Sequence, residues 1–206
     1  MPDALSAERI HERLAADARK VLRELTVLPQ TDSTNSALAR LPLERRHAHV
    51  IVAETQTAGR GRRQRAWHSP PGGNIYLSLG WQFKARALPL STLPLVAALC
   101  LCRALERAGL SGHGVKWPND ILIDGAKVAG ILVETQSAGA APAIAVIGIG
   151  LNVRMPAPDS DHPGAIIDRP WTDLASHLPP GRESICRNEL IARIVEDLLN
   201  GLGRFE

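Results

Sequence analysis

Four arginines, Arg60, Arg62, Arg63 and Arg65, fall within one six-residue span, and Gly59 and Gly61 flank the first of them. Arginine presents a planar fork of donors that matches carboxylate and phosphate oxygens. Glycine lets the backbone approach a ligand closely. Residues 55–67 therefore read as a flexible loop that closes over an anion. A solvated basic loop, or an arginine–glycine segment that binds RNA without sequence preference, carries the same local signature. Upstream, Thr31, Asp32, Ser33, Thr34 and Asn35 are five small polar residues in a row. They can supply neutral donors and acceptors to a ligand, or simply cap a helix. Gly148-x-Gly150 is a weak dinucleotide signal, because the third glycine is missing and a proline-rich stretch follows. No P-loop occurs. His47, His49, His68, His113, His162 and His177 do not pair at metal-ligand spacing, so no metal site is read. Cys100, Cys102 and Cys186 make an odd set without zinc spacing, and the first two lie in an apolar run as core residues do.

The elements that must carry these groups follow from periodicity. Ser6 caps a helix running to about residue 24, with Ile10, Leu14, Ala18 and Val21 on its apolar stripe. Residues 25–28 form a short strand, and 35–41 a helix after the polar cluster. Residues 49–54 form a strand that delivers the chain into the arginine loop. Residues 74–81 alternate Ile75, Leu77, Leu79 and Trp81 against Asn74, Tyr76, Ser78 and Gly80, as a half-buried strand does. Residues 93–108 form a buried helix with Pro94 in its first turn and Gly109 past its end. Short strands at 115–117 and 121–123 lead through Asp124-Gly125, a tight-hairpin signal, into strands at 127–135 and 143–151, with a turn at 139–142 between them. Residues 154–170 form a long loop. Residues 171–178 and 184–202 form helices. The expected class is α+β: a mixed, largely antiparallel sheet with helices packed on one face.

Hydrophobic residues make up 45% of the 206, enough for a sizeable core, and 24 basic against 21 acidic residues leave a net charge of +3. That balance does not itself call for nucleic acid. Residues 1–23 lack the apolar core of a signal peptide. Residues 87–102, the most apolar run, are interrupted by Pro89 and Pro94 and too short to cross a bilayer. A cytoplasmic protein with no membrane partner is expected.

Six motifs in order carry a family resemblance. They are Thr31-Asp32-Ser33-Thr34-Asn35; Glu54-Thr55-Gln56-Thr57-Ala58-Gly59-Arg60-Gly61-Arg62-Arg63; Trp67-x-Ser69-Pro70-Pro71-Gly72-Gly73-Asn74; Lys116-Trp117-Pro118-Asn119-Asp120; Lys127-Val128-Ala129-Gly130-Ile131-Leu132-Val133-Glu134; and Gly148-Ile149-Gly150-Leu151-Asn152. From about Leu25 to Phe205 the chain resembles the catalytic domain of biotin protein ligases, the biotin–[acetyl-CoA-carboxylase] ligases. The resemblance implies the class II synthetase-like fold of the biotin and lipoate ligases. It also implies a two-step reaction with ATP and Mg²⁺: biotin is activated as biotinyl-5′-AMP, then transferred to a lysine of a biotin carboxyl carrier domain. Carried over residue by residue, the biotin-binding set is Ser33, Thr34, Asn35, Gln56, Arg60, Gly61, Arg62, Lys127, Gly130, Gly148 and Gly150. The nucleotide set is Arg62, Arg63, Trp67, Lys116, Asn119, Asn152 and Trp171, with residues 154–170 folding over adenine. Arg62 and Lys127 are the catalytic pair.

Two departures stand out. Gln64 occupies the place of a glycine in the family's arginine–glycine run, and since Gln resists positive φ, a changed rate of loop closure is expected rather than lost activity. The family normally continues past Phe205 into a small β-barrel domain, which this sequence lacks. The division expected is an N-terminal helix over residues 1–24 packed on a catalytic domain over 25–206. The first 24 residues are too few for a helix-turn-helix, which argues against a DNA partner. An exposed sheet edge would permit a homodimer. The rivals are a lipoate–protein ligase, for which the neutral polar cluster would be wasted, and a non-catalytic binder of biotin or biotinyl-AMP.

Overall fold

The structure is a computed structural model that describes residues 4–84, 89–136, 143–156, 170–181 and 183–205. Seven strands form one sheet: β1 (Glu24–Leu28), β2 (His49–Ala53), β3 (Ile75–Gln82), β4 (His113–Lys116), β5 (Asp120–Ile123), β6 (Ala126–Gln136) and β7 (Ile144–Leu151). Their spatial order is β1-β2-β3-β7-β6-β5-β4. β1 and β2 run parallel and every other neighbouring pair is antiparallel. The Asp124-Gly125 turn takes positive φ at both residues, 49° and 79°, which is the geometry that a tight two-residue hairpin demands.

Strand alternation divides the sheet into two unlike faces. Ile75, Leu77 and Leu79 of β3, Ala145, Ile147, Ile149 and Leu151 of β7, and Ala129 and Ile131 of β6 all enter the main core. The helices α4 (Leu93–Arg107) and α5 (Arg187–Phe205) cover that face. Burial in this core pushes the Cys100 and Cys102 thiols up to about 11, as for inert core residues. The other face carries Ser78, Gly80, Gly130, Val146, Gly148 and Gly150. A short helix, α3 (Thr34–Ala39), lies on it, with Leu38 packed against Ile51 and Val146 in a separate small cluster. The α+β class holds, with α3 as the one helix on the second face among the described residues. The polar alternates of β3 are not solvated: Tyr76 is 1% and Ser78 0% exposed. Ser78 bonds Thr34 and Asn35 of the site described below, and the Tyr76 hydroxyl donates to Pro70 O.

Two expected helices differ. The N-terminal helix is split into α1 (Ala7–Arg13) and α2 (Ala16–Val21), with extended backbone at Leu14 and Ala15. The break keeps Ile10, Leu14 and Ala18 all buried, and the Ala15 amide donates to Glu196 Oε1 at 2.6 Å in place of a helical carbonyl. The segment expected as a helix at 171–178 has only a 3-10 turn, Leu174–His177, capped by Asp173. Trp171 bridges Lys127 in parallel, with Lys127 N donating to Pro170 O and Thr172 N to Lys127 O. Backbone groups committed to the start of β6 cannot also close helical turns. The turn at 139–142 and most of the 154–170 loop, residues 157–169, lie outside the described residues.

Candidate functional site

The floor of the site is the glycine-bearing face of β3, β6 and β7. Gly130 and Gly150 are needed there because the Trp67 indole leans on the sheet: a Cβ at Gly130 would stand 2.8 Å from its ring, and one at Gly150 would collide with it. A Cβ at Gly148 would collide with the Asn35 amide. The arginine loop forms the roof. Its tip, the 3-10 turn Arg62–Gln64, holds Arg63 at φ 57° and Gln64 at φ 60°. The left-handed backbone that Gln was expected to resist is the one it adopts.

Two adjoining cavities lie between floor and roof. The smaller, about 50 Å³, is lined by Ser33, Thr34, Asn35, Gln56, Arg60, Gly61, Arg62, Lys127, Gly130, Gly148 and Gly150, together with Trp67 and Asn119. The larger, about 580 Å³, is lined by Arg62, Arg63, Trp67, Lys116, Asn119, Asn152 and Trp171, together with Gly61, Asp120, Lys127 and Met155. Every residue expected to contact the first ligand is on the first wall, and every residue expected to contact the nucleotide is on the second. Gly61, Arg62, Trp67, Asn119 and Lys127 border both, so they form the partition.

The small cavity is fixed by side-chain hydrogen bonds, all but one between neutral groups. Gln56 Oε1 accepts from Thr34 N at 2.9 Å, and Gln56 Nε2 donates to Ser69 Oγ at 3.0 Å. Ser78 Oγ lies 2.8 Å from Thr34 Oγ1 and 2.6 Å from Asn35 Oδ1. Asn35 Nδ2 donates to Glu134 Oε2 at 2.8 Å. Ser33 precedes α3 but its side chain makes no capping bond, so the polar run is more than a helix cap. Asp32 works outside the cavity. It accepts from Ser33 N and from both guanidinium ends of Arg40, which holds its carboxyl well below the usual carboxylate range.

Three of the cations have partners. Lys127 Nζ lies 2.7 Å from Asp120 Oδ1, a close charge contact that is not aligned as a hydrogen bond, with the side chains 26% and 16% exposed. The same ammonium is 5.1 Å from the Trp67 ring centroid. Arg62 Nη1 donates to Asn119 Oδ1 at 3.1 Å, and Arg60 Nη2 lies 3.5 Å from Glu134 Oε1. Trp67 Nε1 is buried without a hydrogen-bond partner among the described residues. Asn152 Nδ2 donates to Thr172 O at 3.0 Å. The residue-by-residue reading missed Ser78, Glu134, Ser69 and Asp120. Ser78 was visible as a polar residue on the alternating strand. The other three stood within the motifs without an assigned partner.

No helix among the described residues is long and apolar enough to cross a membrane. The sequence profile of the biotin/lipoate A/B protein ligase family matches residues 27–152. The bifunctional ligase/repressor BirA of Salmonella typhimurium is 36% identical over 202 residues, 98% of this chain and 59% of that protein. The biotin–[acetyl-CoA-carboxylase] ligase of Paracoccus denitrificans is 41% identical over 143 residues, 68% of this chain and 59% of that protein. The chain thus spans about three fifths of the length of these relatives. Among solved structures, biotin protein ligase from Aquifex aeolicus in complex with biotin and ATP superposes with a TM-score of 0.71 at 29% identity, over 89% of this chain and 72% of that one. The two-faced sheet, the paired cavities and these likenesses agree, and the chain belongs to the biotin/lipoate A/B protein ligase family.

Proposed function

We propose that the chain is a biotin protein ligase, which activates biotin with ATP and transfers it to a lysine of a biotin carboxyl carrier domain. The observation that carries this reading is the partition: a small cavity lined by neutral polar groups and glycine backbone, with Arg60, Arg62 and Lys127 also on its wall, shares Arg62 and Lys127 with a larger cavity whose lining adds Arg63, Arg65 and Lys116. A neutral ureido head suits Ser33, Thr34, Asn35 and Gln56, each matched bond contributing about 0.5–1.5 kcal/mol. The bicycle lies along Gly130, Gly148 and Gly150, and Arg60 and Gly61 close over the tail. The carboxylate tail then points at the partition.

In the first step a biotin carboxylate oxygen attacks the α-phosphorus of ATP and the bond to pyrophosphate breaks. Two anions must meet, and Arg62 and Lys127 neutralise the charge that develops between them; removing one such donor costs on the order of 10²–10³ in rate. In the second step a lysine ε-amine attacks the acyl carbon, the acyl–oxygen bond to AMP breaks, and the amine loses a proton. Arg63, Lys116, Asn119 and Asn152 are placed for the nucleotide, and Trp171 flanks them. Mg²⁺ would accompany ATP and would supply charge neutralisation on its phosphates. Among the described residues no cluster of three His, Cys, Asp or Glu could cage an ion. Asp120, whose carboxylate lies on the large cavity's wall beside Lys127, would help to hold it, in keeping with an ion bound mainly through substrate phosphates.

A cavity of about 50 Å³ holds a few water molecules and no bicycle. Biotin entry therefore requires Trp67 to leave Gly130 and Gly150, carrying the arginine loop with it. That movement also relieves an unpartnered indole N–H, worth roughly 1–3 kcal/mol. The test is incubation of this chain with biotin, Mg-ATP and a carrier domain, followed by mass measurement. Biotinylated carrier is expected. An unmodified carrier overturns transfer, and lipoate-dependent but not biotin-dependent ATP–pyrophosphate exchange would move the chain to the lipoate side of its family.

A further inference from the structure

Trp117 is 79% exposed, the most open large apolar side chain among the described residues. It stands just past the edge strand β4, between Lys116 and Pro118, in the turn that leads into β5. That turn is part of the lip of the larger cavity, which also carries Arg63 and Arg65. Arg65 is exposed and makes no ion pair with a described residue. The one carboxylate on that wall among the described residues, Asp120, is already held by Lys127. The lip is therefore cationic around a bare indole. Trp and Arg are the side chains that most often dominate binding energy at protein interfaces.

We infer that Trp117 is the docking point for the carrier domain during transfer, receiving an apolar side chain near the acceptor lysine while Arg65, the lip cation not assigned to the nucleotide, meets a carboxylate of the carrier. The inference rests on the ligase reading above. The reaction fixes the location: a lysine reaches its target through a four-carbon stem, so its backbone must come down to the cavity mouth and press against the lip. On the ligase reading the nucleotide would sit against Asn119 and Asn152, and the Trp117 indole, which borders the same cavity but is 79% exposed, stays open to the partner. Charge complementarity selects an acidic protein surface, which also speeds encounter.

Trp117→Ala and Trp117→Phe separate docking from chemistry. Three rates are measured on the whole chain: biotin-dependent ATP–pyrophosphate exchange, capture of the adenylate by hydroxylamine, and transfer to a purified carrier domain at varied concentration. The expected result for Trp117→Ala is unchanged exchange and hydroxylamine capture with a carrier KM raised about ten- to thirty-fold, while Trp117→Phe retains most of the affinity. The carrier KM of the unsubstituted chain should also rise with salt. Unchanged carrier kinetics in Trp117→Ala overturns the inference alone. A raised KM for ATP overturns it by assigning the indole to the nucleotide. A salt-independent carrier KM overturns the acidic partner. No exchange in the unsubstituted chain overturns the ligase reading and this inference with it. A side chain so exposed contributes little to folding, and thermal unfolding of both variants should match the parent.

Discussion

Lys127 and Arg62 occupy the partition between the cavities, and their substitution should act on the joining of two anions more than on either ligand alone. Lys127→Ala is expected to lower the rate of biotinyl-AMP formation by roughly 10²–10³-fold in a single-turnover assay, with biotin affinity reduced much less. Equal losses in both would assign Lys127 to ground-state binding. Gln64 makes a different contribution. It sits at φ 60°, where a side chain costs about 1–2 kcal/mol relative to glycine. Gln64→Gly should raise thermal stability by up to about that amount and change the release rate of the adenylate, with activity retained. An unchanged release rate, measured by pre-loading and chase, would show that the loop tip does not limit opening. The family resemblance carried by the ordered motifs pointed to residues on both cavity walls. Their counter-ions were not legible: nothing in the spacing of Lys127 and Asp120 says that they touch, because the bulge between Ile121 and Leu122 sets that register.

At the scale of elements, alternation along β3 revealed a strand with two unlike faces, but not what covers the polar one. Water and a binding site impose the same pattern on a strand, and only α3 and the arginine loop folding back distinguish them. The N-terminal helix was legible as an apolar stripe, yet its break at Leu14 depends on Glu196, 181 residues from Ala15. Strand pairing also creates a titrating element. His49, at the start of β2, is 2% exposed, with Thr26 at 3.0 Å and Glu24 at 3.6 Å. Burial lowers its pKa against the opposing pull of the Glu24 carboxylate. Below about pH 6.5 the unfolded chain binds a proton that the folded chain resists, so stability falls as pH drops through that value toward the folded pKa. His49→Gln, neutral throughout, should flatten this part of the curve in urea titrations between pH 7 and 5. An unaltered slope would place the pH dependence elsewhere.

For the molecule as a whole, distant segments converge on Glu54, the residue that leads out of β2 toward the arginine loop. Its carboxylate accepts from the Leu5 amide at 2.8 Å and pairs with Arg187 at 2.7 Å, and Arg187 is 3% exposed. Asn188 holds the same N-terminal segment through Ser6 N and Ala4 O. Glu54→Ala would remove a carboxylate from a buried guanidinium, and a loss of up to about 3–5 kcal/mol in denaturant unfolding is expected. A loss below 1 kcal/mol would mean that the other partners of Arg187, Asn74 O at 3.1 Å among them, suffice. No motif foretells this junction, since it joins positions 133 apart. It also sets an order on biosynthesis. A polypeptide emerging from the ribosome exposes every cavity-lining residue of the arginine loop and sheet before Arg187 has been added. The residues that lead into the loop gain this ion pair only once α5 has been added, so that anchor forms after every described cavity-lining residue has been made.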